Sequence, residues 1–365
     1  MNKIKVLLIS NMYPSKKGEF YGIFVKNFII GFENTKIEII AKTLILGRGR
    51  SAFQKIKKYI LFYFSIIKNI FKFNYDIIYI HYPIYASLPI ILCSPFIIKP
   101  IVLNFHGTDV FAINNFSKFL QLITKPLIKK SNTIIVPSTY FKKVVVNKFN
   151  IGMDKVFVSP SGGINTDVFK DLETQSDKAF FTLGYVGRID EGKGWDVLLK
   201  AFSILLKKIP NLKCIIAGNG SQVNDLNNLI NQLNITSNVS VIGSIPHADL
   251  HIFYNKLDLF IFPTTRIAES LGLVGVEALS CGVPIVGSRI GGLEDYIIEG
   301  VNGSLFKTNN HQDLAAKIFH LYNHKSILRN LKKEARNSVK NYDMKYVSNR
   351  LTNKLEEIVQ QNAKI

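Results

Sequence analysis

Residues 262–288 read FPTTRIAESLGLVGVEALSCGVPIVGS. The stretch opens on the end of one apolar run, Leu259–Phe262, and closes in another, Pro284–Val286. Between them a polar loop leads into an apolar helical segment. That helix stops at Cys281-Gly282 with Pro284 just beyond, a normal C-terminal signal. Strand, helix and strand within about 30 residues make one βαβ unit, and such a unit requires a parallel sheet.

The same grammar extends in both directions. Phe181–Val186, Lys213–Ala217 and Val239–Ile242 read as strands of the second half, and Ile4–Ile9, Ile77–Ile80, Ile101–Phe105 and Ile134–Val136 as strands of the first. These runs are β-branched and continuous, with helix-length segments between them, as strands covered on both faces are. Two such series imply an α/β protein of two doubly wound parallel-sheet domains with a cleft between, with ligands at the carboxyl ends of the strands. The Pro160-Gly162-Gly163 turn and the polar stretch Lys170–Lys178 place the join, giving domains 1–170 and 171–340. A last helix, about residues 341–361, follows the second sheet or packs back across the first.

At 365 residues, 47% hydrophobic and 20% charged, the chain can fill two cores. Cys93, Cys214 and Cys281 are scattered in apolar surroundings, as reduced core thiols of a cytoplasmic protein are. His247/His251 and His320/His324 are spaced i, i+4, but no glutamate or third ligand accompanies them, so they read as solvated helix histidines and no metal is implied. Met1–Ser10 runs straight into a strand-like segment and is not a signal peptide. Ile77–Ile98 carries no charged residue for 22 positions, a membrane-spanning length. Pro83, Pro89 and Pro95 interrupt it, and His81 and Ser87 lie inside, so a buried strand, a loop and a short apolar helix fit better.

The net charge of +20 is concentrated in the first half. Residues 1–150 hold 22 Lys/Arg against 5 Asp/Glu. Such a field attracts polyanions or an anionic membrane surface. Within it, Ala52–Phe73 patterns as a basic amphipathic helix. Lys57, Lys58, Ser65, Lys68, Asn69 and Lys72 share one side; Ile56, Ile60, Tyr63, Phe64, Ile67, Ile70 and Phe71 share the other. Leu61 and Phe62 break the pattern towards the lysines. The helix either lies on anionic lipid through Lys57, Lys58, Lys68 and Lys72, or packs its apolar face on its own sheet. No zinc-finger spacing, RNP-like run or arginine-rich arm supports nucleic acid as the polyanion.

Two strand-to-helix loops of the second half carry chemistry. In the opening stretch Glu269 stands where the helix is expected to begin and Glu277 lies eight residues on, at most roughly 12 Å along its axis. The N–H groups around Leu271 to Val274, with Gly272 and Leu273 at the helix start, suit an anion, and Gly272 admits close approach. Carboxylates accept hydrogen bonds from paired hydroxyls. Each glutamate could instead be an ordinary helix charge, although an unpaired charge in VGVEALS would be costly. The second loop, Gly187-Arg188-Ile-Asp-Glu-Gly-Lys193-Gly194, offers a guanidinium fork and an ammonium to a phosphate. Both would be solvated loop cations were the acidic helix loop absent.

Together these elements resemble the retaining glycosyltransferases of the GT-B fold, in the GT4 family. The family's E-x7-E element matches Glu269 and Glu277, and its GR…KG element matches Arg188 and Lys193. Further matches are AGNG at Ala217–Gly220, GSIPHADL at Gly243–Leu250, SGGINTDVF at Ser161–Phe169 and HGTD at His106–Asp109. Asn11-Met-Tyr-Pro followed by Gly22 resembles the first strand–helix loop of one subgroup. Many members pair two glycines there, whereas Gly18 and Gly22 stand apart.

The resemblance implies two Rossmann-like domains and transfer of a sugar, with retention, from a nucleotide-sugar donor such as a UDP- or GDP-sugar. It puts Glu269 on the donor sugar's hydroxyls, Glu277 on the ribose, Arg188 and Lys193 on the diphosphate, and His106 near the sugar. Loops around Gly218 and Ser244 then face the base. With no DxD motif, no cofactor or metal is expected. The basic first domain suggests a lipid-linked or glycan acceptor, bacterial surface-polysaccharide assembly, and a peripheral place on the inner face of the cytoplasmic membrane. Other classes that fit parts of the pattern are a GT-B epimerase or phosphorylase, a catalytically silent scaffold, and a polyanion-binding protein.

Overall fold

The computed structural model describes residues 3–15, 21–47, 49, 51–112, 114–172 and 179–363. The chain forms two compact units, Met1–Gly163 with Met344–Ile365, and Ile164–Asp343. The handover thus falls at Gly163/Ile164 rather than at 170/171. Ile164 donates its N–H to the Tyr342 carbonyl at 2.9 Å, which fastens the start of the second unit to its end. Residues 173–178 of the expected polar join lie outside the described residues.

The first unit begins with β1 (Ile4–Tyr13), α1 (Ile23–Gly31), β2 (Ile37–Leu46), α2 (Ala52–Lys72), β3 (Ile77–His81) and α3 (Ser87–Cys93). It continues with β4 (Ile101–Asn104), α4 (Asn115–Lys130), β5 (Thr133–Val136), α5 (Thr139–Phe149) and β6 (Val156–Val158). Its six strands pair in parallel in the order β2-β1-β3-β4-β5-β6. Alternate residues feed two cores, as strands buried on both faces must. Leu7, Ile9, Ile78 and Ile80 meet α2, α3, α4 and α5, while Val6, Leu8, Ile77 and Tyr79 face α1.

In the second unit the elements are β7 (Phe181–Val186), α6 (Trp195–Leu206), β8 (Leu212–Ala217), α7 (Val223–Gln232), β9 (Val239–Val241) and α8 (Leu250–Tyr254). Then come β10 (Leu259–Phe262), α9 (Leu273–Ser280), β11 (Ile285–Ser288), β12 (Gly303–Phe306), α10 (His311–Asn323) and α11 (Lys325–Ser338). The strand order β12-β11-β10-β7-β8-β9 reverses between β7 and β10. The connections leaving those two neighbours diverge to opposite faces, α6 joining one core and α9 the other. Doubly wound sheets bind ligands at such a switch point, by the carboxyl ends of the two strands.

A final helix, α12 (Met344–Asn362), belongs to the first unit, the second of the two placements open from sequence. Leu351, Leu355 and Ile358 join Val25 and Phe28 of α1 in the core on that side of the sheet. The helices touch so closely at Gly31 that a Cβ there would lie 2.2 Å from Ser348 Oγ.

The segment Ile77–Ile98 resolves into β3, a one-turn 3-10 helix at Pro83–Tyr85, the short α3 and a second 3-10 turn at Ser94–Phe96. Among the described residues no helix is long and apolar enough to cross a membrane. All three cysteines are buried and unpaired, and burial pushes the Cys214 thiol up to about 12.

Candidate active site

The loop after β7 and the loop after β10 are bound into one body. Thr265 donates its N–H to the Gly192 carbonyl at 2.9 Å, and Arg266 Nε reaches the Glu191 carbonyl at 3.0 Å. Across the same junction Lys193 Nζ lies 2.8 Å from Glu269 Oε2, with Thr264 Oγ1 donating to that oxygen at 3.4 Å. The structure thus joins two of the residues singled out from sequence, 76 positions apart, into one ion pair. Arg266 escaped the sequence reading, since a lone arginine in a polar loop carries no signal of its partner.

Arg188 projects its guanidinium to the surface and pairs it with the Asp190 carboxylate. Asp190 also accepts from the Ser221 N–H and hydroxyl, both at 2.9 Å. Burial works against its ionisation, but the Ser221 hydrogen bonds and the Arg188 charge prevail and hold its carboxyl below the usual range. Arg188 is therefore aimed by a fixed anion rather than swinging in solvent.

The helix that was expected to open at Glu269 starts at Leu273, and Glu269 sits in the preceding loop. Crowding by the Gly291-Gly292 turn explains this, because Gly292 donates its N–H to the Glu269 carbonyl at 2.8 Å. Gly272 is the N-cap at φ 81°, and a Cβ there would meet the Phe262 ring at 2.6 Å. Its need for glycine is thus conformational and steric. Among the described residues the N–H groups of Leu273 and Val274 have no acceptor. They form the positive end that an anion would meet.

Glu277 is buried within α9, and both carboxylate oxygens are engaged. His247 Nε2 lies 3.0 Å from Oε1, and the Tyr254 hydroxyl donates to Oε2 at 3.0 Å. His247 is therefore not the solvated helix histidine expected; it leads a 3-10 turn and holds the glutamate. Burial, and then the Glu277 charge, raise the Tyr254 hydroxyl well above its ordinary range, so it remains a donor. Of the two base-side positions, Ser244 is exposed, and Gly218 donates its N–H to the Gly243 carbonyl at 2.6 Å.

In the first unit Gly22 caps α1 at φ 79°, where a Cβ would strike the Met12 carbonyl carbon at 2.6 Å. Gly18 lies outside the described residues. His106, just past β4, packs against Phe24 with the rings tilted by 34° and their centroids 4.1 Å apart, and places Nε2 2.9 Å from His81 Nδ1. His81 is buried and its Nε2 has no partner. An unbonded ring nitrogen is better borne as a bare acceptor than as an N–H, so His81 donates from Nδ1 and fixes the His106 tautomer. Sequence reading met His81 only as a polar interruption of an apolar run.

Burial keeps both rings neutral, holding His106 down to about 3 and His81 well below 6.5. An unfolded chain would take up these protons, so stability falls as pH drops below about 6.5. Asp109 works the other way. Its carboxyl accepts the His106 and Gly107 N–H groups, yet burial raises it to about 7, so its contribution is lost as pH rises from about 4 to 7. In His81→Gln the stability curve should lose one proton of slope, roughly 1.4 kcal/mol per pH unit, as pH falls below about 6. Hydrogen exchange of β3 and β4 amides across that range measures it, and an unchanged slope would remove His81 from the account.

Comparison with known proteins fits this architecture. Residues 33–167 match the family model described as Glycosyltransferase Family 4, and residues 168–338 match Glycosyl transferases group 1. The chain belongs to the GT-B glycosyltransferases, of the GT4-like kind, and is an enzyme of sugar transfer. An uncharacterised glycosyltransferase of Methanocaldococcus jannaschii is 28% identical over 275 residues, covering 75% of this chain and 73% of its own. The capsular polysaccharide biosynthesis glycosyltransferase CapM of Staphylococcus aureus is 27% identical over 65% of this chain, a match that spans 58% of CapM. Among solved structures, Anabaena HepE in complex with UDP has the same fold, with a TM-score of 0.75 and 17% identity over 97% of this chain and 100% of that one.

Proposed function

We propose that the second unit binds the donor, a UDP- or GDP-sugar, at the β7/β10 switch point. The observation that carries this is the Lys193–Glu269 pair at 2.8 Å, which sets a cation for diphosphate beside a carboxylate for sugar hydroxyls. Arg188, Lys193 and the α9 start at Gly272 and Leu273 hold the diphosphate, Glu277 the ribose, and the Gly218 and Ser244 loops the base. From the first unit His106 attends the sugar, and Gly22 shapes its loop.

The sugar then passes with retention to a lipid-linked or glycan acceptor in surface-polysaccharide assembly. HepE with UDP and the capsular role in CapM's name support the two halves of this reading. As the bond from the anomeric carbon to the diphosphate breaks, the acceptor oxygen bonds on the same face, and a phosphate oxygen takes its proton. Charge building on the leaving group falls to Arg188 and Lys193 rather than to a metal. Transfer should persist in chelator. Lys57, Lys68 and Lys72 of α2, exposed where Lys58 is only partly so, meet the anionic inner face of the cytoplasmic membrane.

Thermal stabilisation by UDP, GDP, ADP and their sugars tests the donor site. A ligand at a hundred times its Kd adds about 2.7 kcal/mol. One nucleotide class should raise the wild-type Tm and lose that effect in Arg188→Ala and in Glu277→Ala. A folded protein that no nucleotide stabilises would return the silent-scaffold reading.

A further inference from the structure

The face that α2 turns to the protein overlaps only part of the apolar side its hydrophobic pattern suggests. Phe62, expected to point towards the lysines, is buried with Ile66 and Ile70 against the sheet. Phe53, Ile56, Ile60, Phe64 and Phe71 recur at helical spacing and are each more than half exposed. Near 100° per residue they form one outward stripe, with Lys57, Lys68 and Lys72 along its flank.

The stripe continues onto the neighbouring helices. Phe71 meets Phe96, just past α3, at 5.9 Å between ring centroids, though both stay exposed. Next to α3 packs α4, with Phe116, Phe119 and Leu122 turned outward. Of 25 exposed large hydrophobic residues among those described, 13 fall between Phe53 and Leu122. An apolar cluster that spans three neighbouring helices exceeds the small, scattered patches usual on a monomer.

Charge identifies the occupant. Residues 52–130 contain 10 lysines, no arginine and 2 acids, Asp76 and Asp109, the latter fully buried. A protein interface excludes lysine from its centre, and a second copy would bring the same positive field. Lipid suits both features, because lysine stems lie along apolar surface while their ammonium groups reach headgroup phosphates. Lys58 is the exception among the four lysines assigned to the membrane. Its ammonium is bonded to the Leu46 and Gly47 carbonyls at 2.6 and 3.2 Å and closes the end of β2.

We propose that the outer surface of the α2–α3–α4 layer is a docking face for an anionic bilayer, with its aromatic and aliphatic side chains below the headgroups and its lysines at their level. The inference rests on the membrane part of the reading above and widens it from one row of lysines to three helices. Insertion of the apolar side chains, not charge alone, holds the enzyme there.

Sedimentation of the full chain with vesicles of equimolar phosphatidylglycerol and phosphatidylcholine tests it, with pure phosphatidylcholine as the comparison. The wild type should pellet with the anionic vesicles. Phe64→Ser/Phe96→Ser/Phe119→Ser should lower partition at least about tenfold at low and high salt alike. Lys57→Gln/Lys68→Gln/Lys72→Gln should lower it at low salt and leave a remainder that salt no longer weakens. Nucleotide stabilisation of each variant reports its fold and donor site separately. Aromatic variants that bind vesicles like the wild type overturn the proposal, as does a wild type that self-associates through this face and ignores vesicles. If vesicles are ignored while nucleotide still stabilises, docking fails and the transferase reading stands.

Discussion

Glu269→Ala should lose transfer by roughly 10³-fold or more while keeping the nucleotide-induced rise in Tm. Its carboxylate accepts from Lys193 at 2.8 Å and Thr264 at 3.4 Å, while main-chain bonds to Arg266 and Gly292 fix the backbone that carries it. A fixed acceptor of this kind is most effective at hydroxyls whose hydrogen bonds strengthen as positive charge grows on the sugar ring. Diphosphate affinity should survive, because Arg188 and Lys193 remain and Lys193 loses its competing anion. Glu269→Gln keeps the shape and one acceptor, so it should fall between alanine and wild type. Release of nucleotide diphosphate from the donor, with membranes as acceptor source, measures both. Activity within tenfold of wild type in the alanine variant would sink the assignment.

The largest effect on stability should come from alanine at Gly194 or Gly218. Gly194 caps α6 at φ 73°, and a Cβ there would lie 1.8 Å from the Pro263 carbonyl oxygen. Gly218, at φ 152°, would place its Cβ 1.8 Å from the Gly187 carbonyl oxygen. Both obstacles are backbone, so neither can swing aside as a flexible side chain would. Each substitution should cost roughly 3 kcal/mol or more and lower the Tm of the second unit by about 10 °C. Gly243 serves as the control: φ is 69° but nothing lies within 4 Å, so alanine costs only about 1–2 kcal/mol. Calorimetry of the three variants decides. A Gly194→Ala protein that melts like Gly243→Ala would show that the loops are not locked as described.

What sequence disclosed of this fold was whatever local pattern encodes. Continuous β-branched runs such as Phe181–Val186 and Leu259–Phe262, spaced by helix-length segments, are interior strands of parallel sheets. β2 was missed because it is the edge of its sheet, where Glu38 and Lys42 interrupt the apolar run. β6 and β12 are three and four residues long, and β12 begins on Gly303, which backs onto the Ile285 carbonyl. The site followed the same division. Glycines, carboxylates and cations at strand–helix junctions stand out in one dimension. The Lys193–Glu269 pair, the hold of His247 on Glu277 and the His81–His106 contact depend on which loops meet. The helix α2 was misjudged for a related reason, since a wide apolar arc does not say which part of it faces the sheet.

The position of α12 has a consequence for the order in which the protein is made. A ribosome delivers the strands of the first sheet early, but the helix that covers Leu8, Phe28 and Tyr79 emerges only after Ile164–Asp343 has been synthesised. At 5–20 residues per second that delay is on the order of 10–40 s. Throughout it the nascent first half exposes the part of its apolar sheet face that α12 will cover. The second unit, whose two core clusters lie within Ile164–Asp343, is complete before that face is covered.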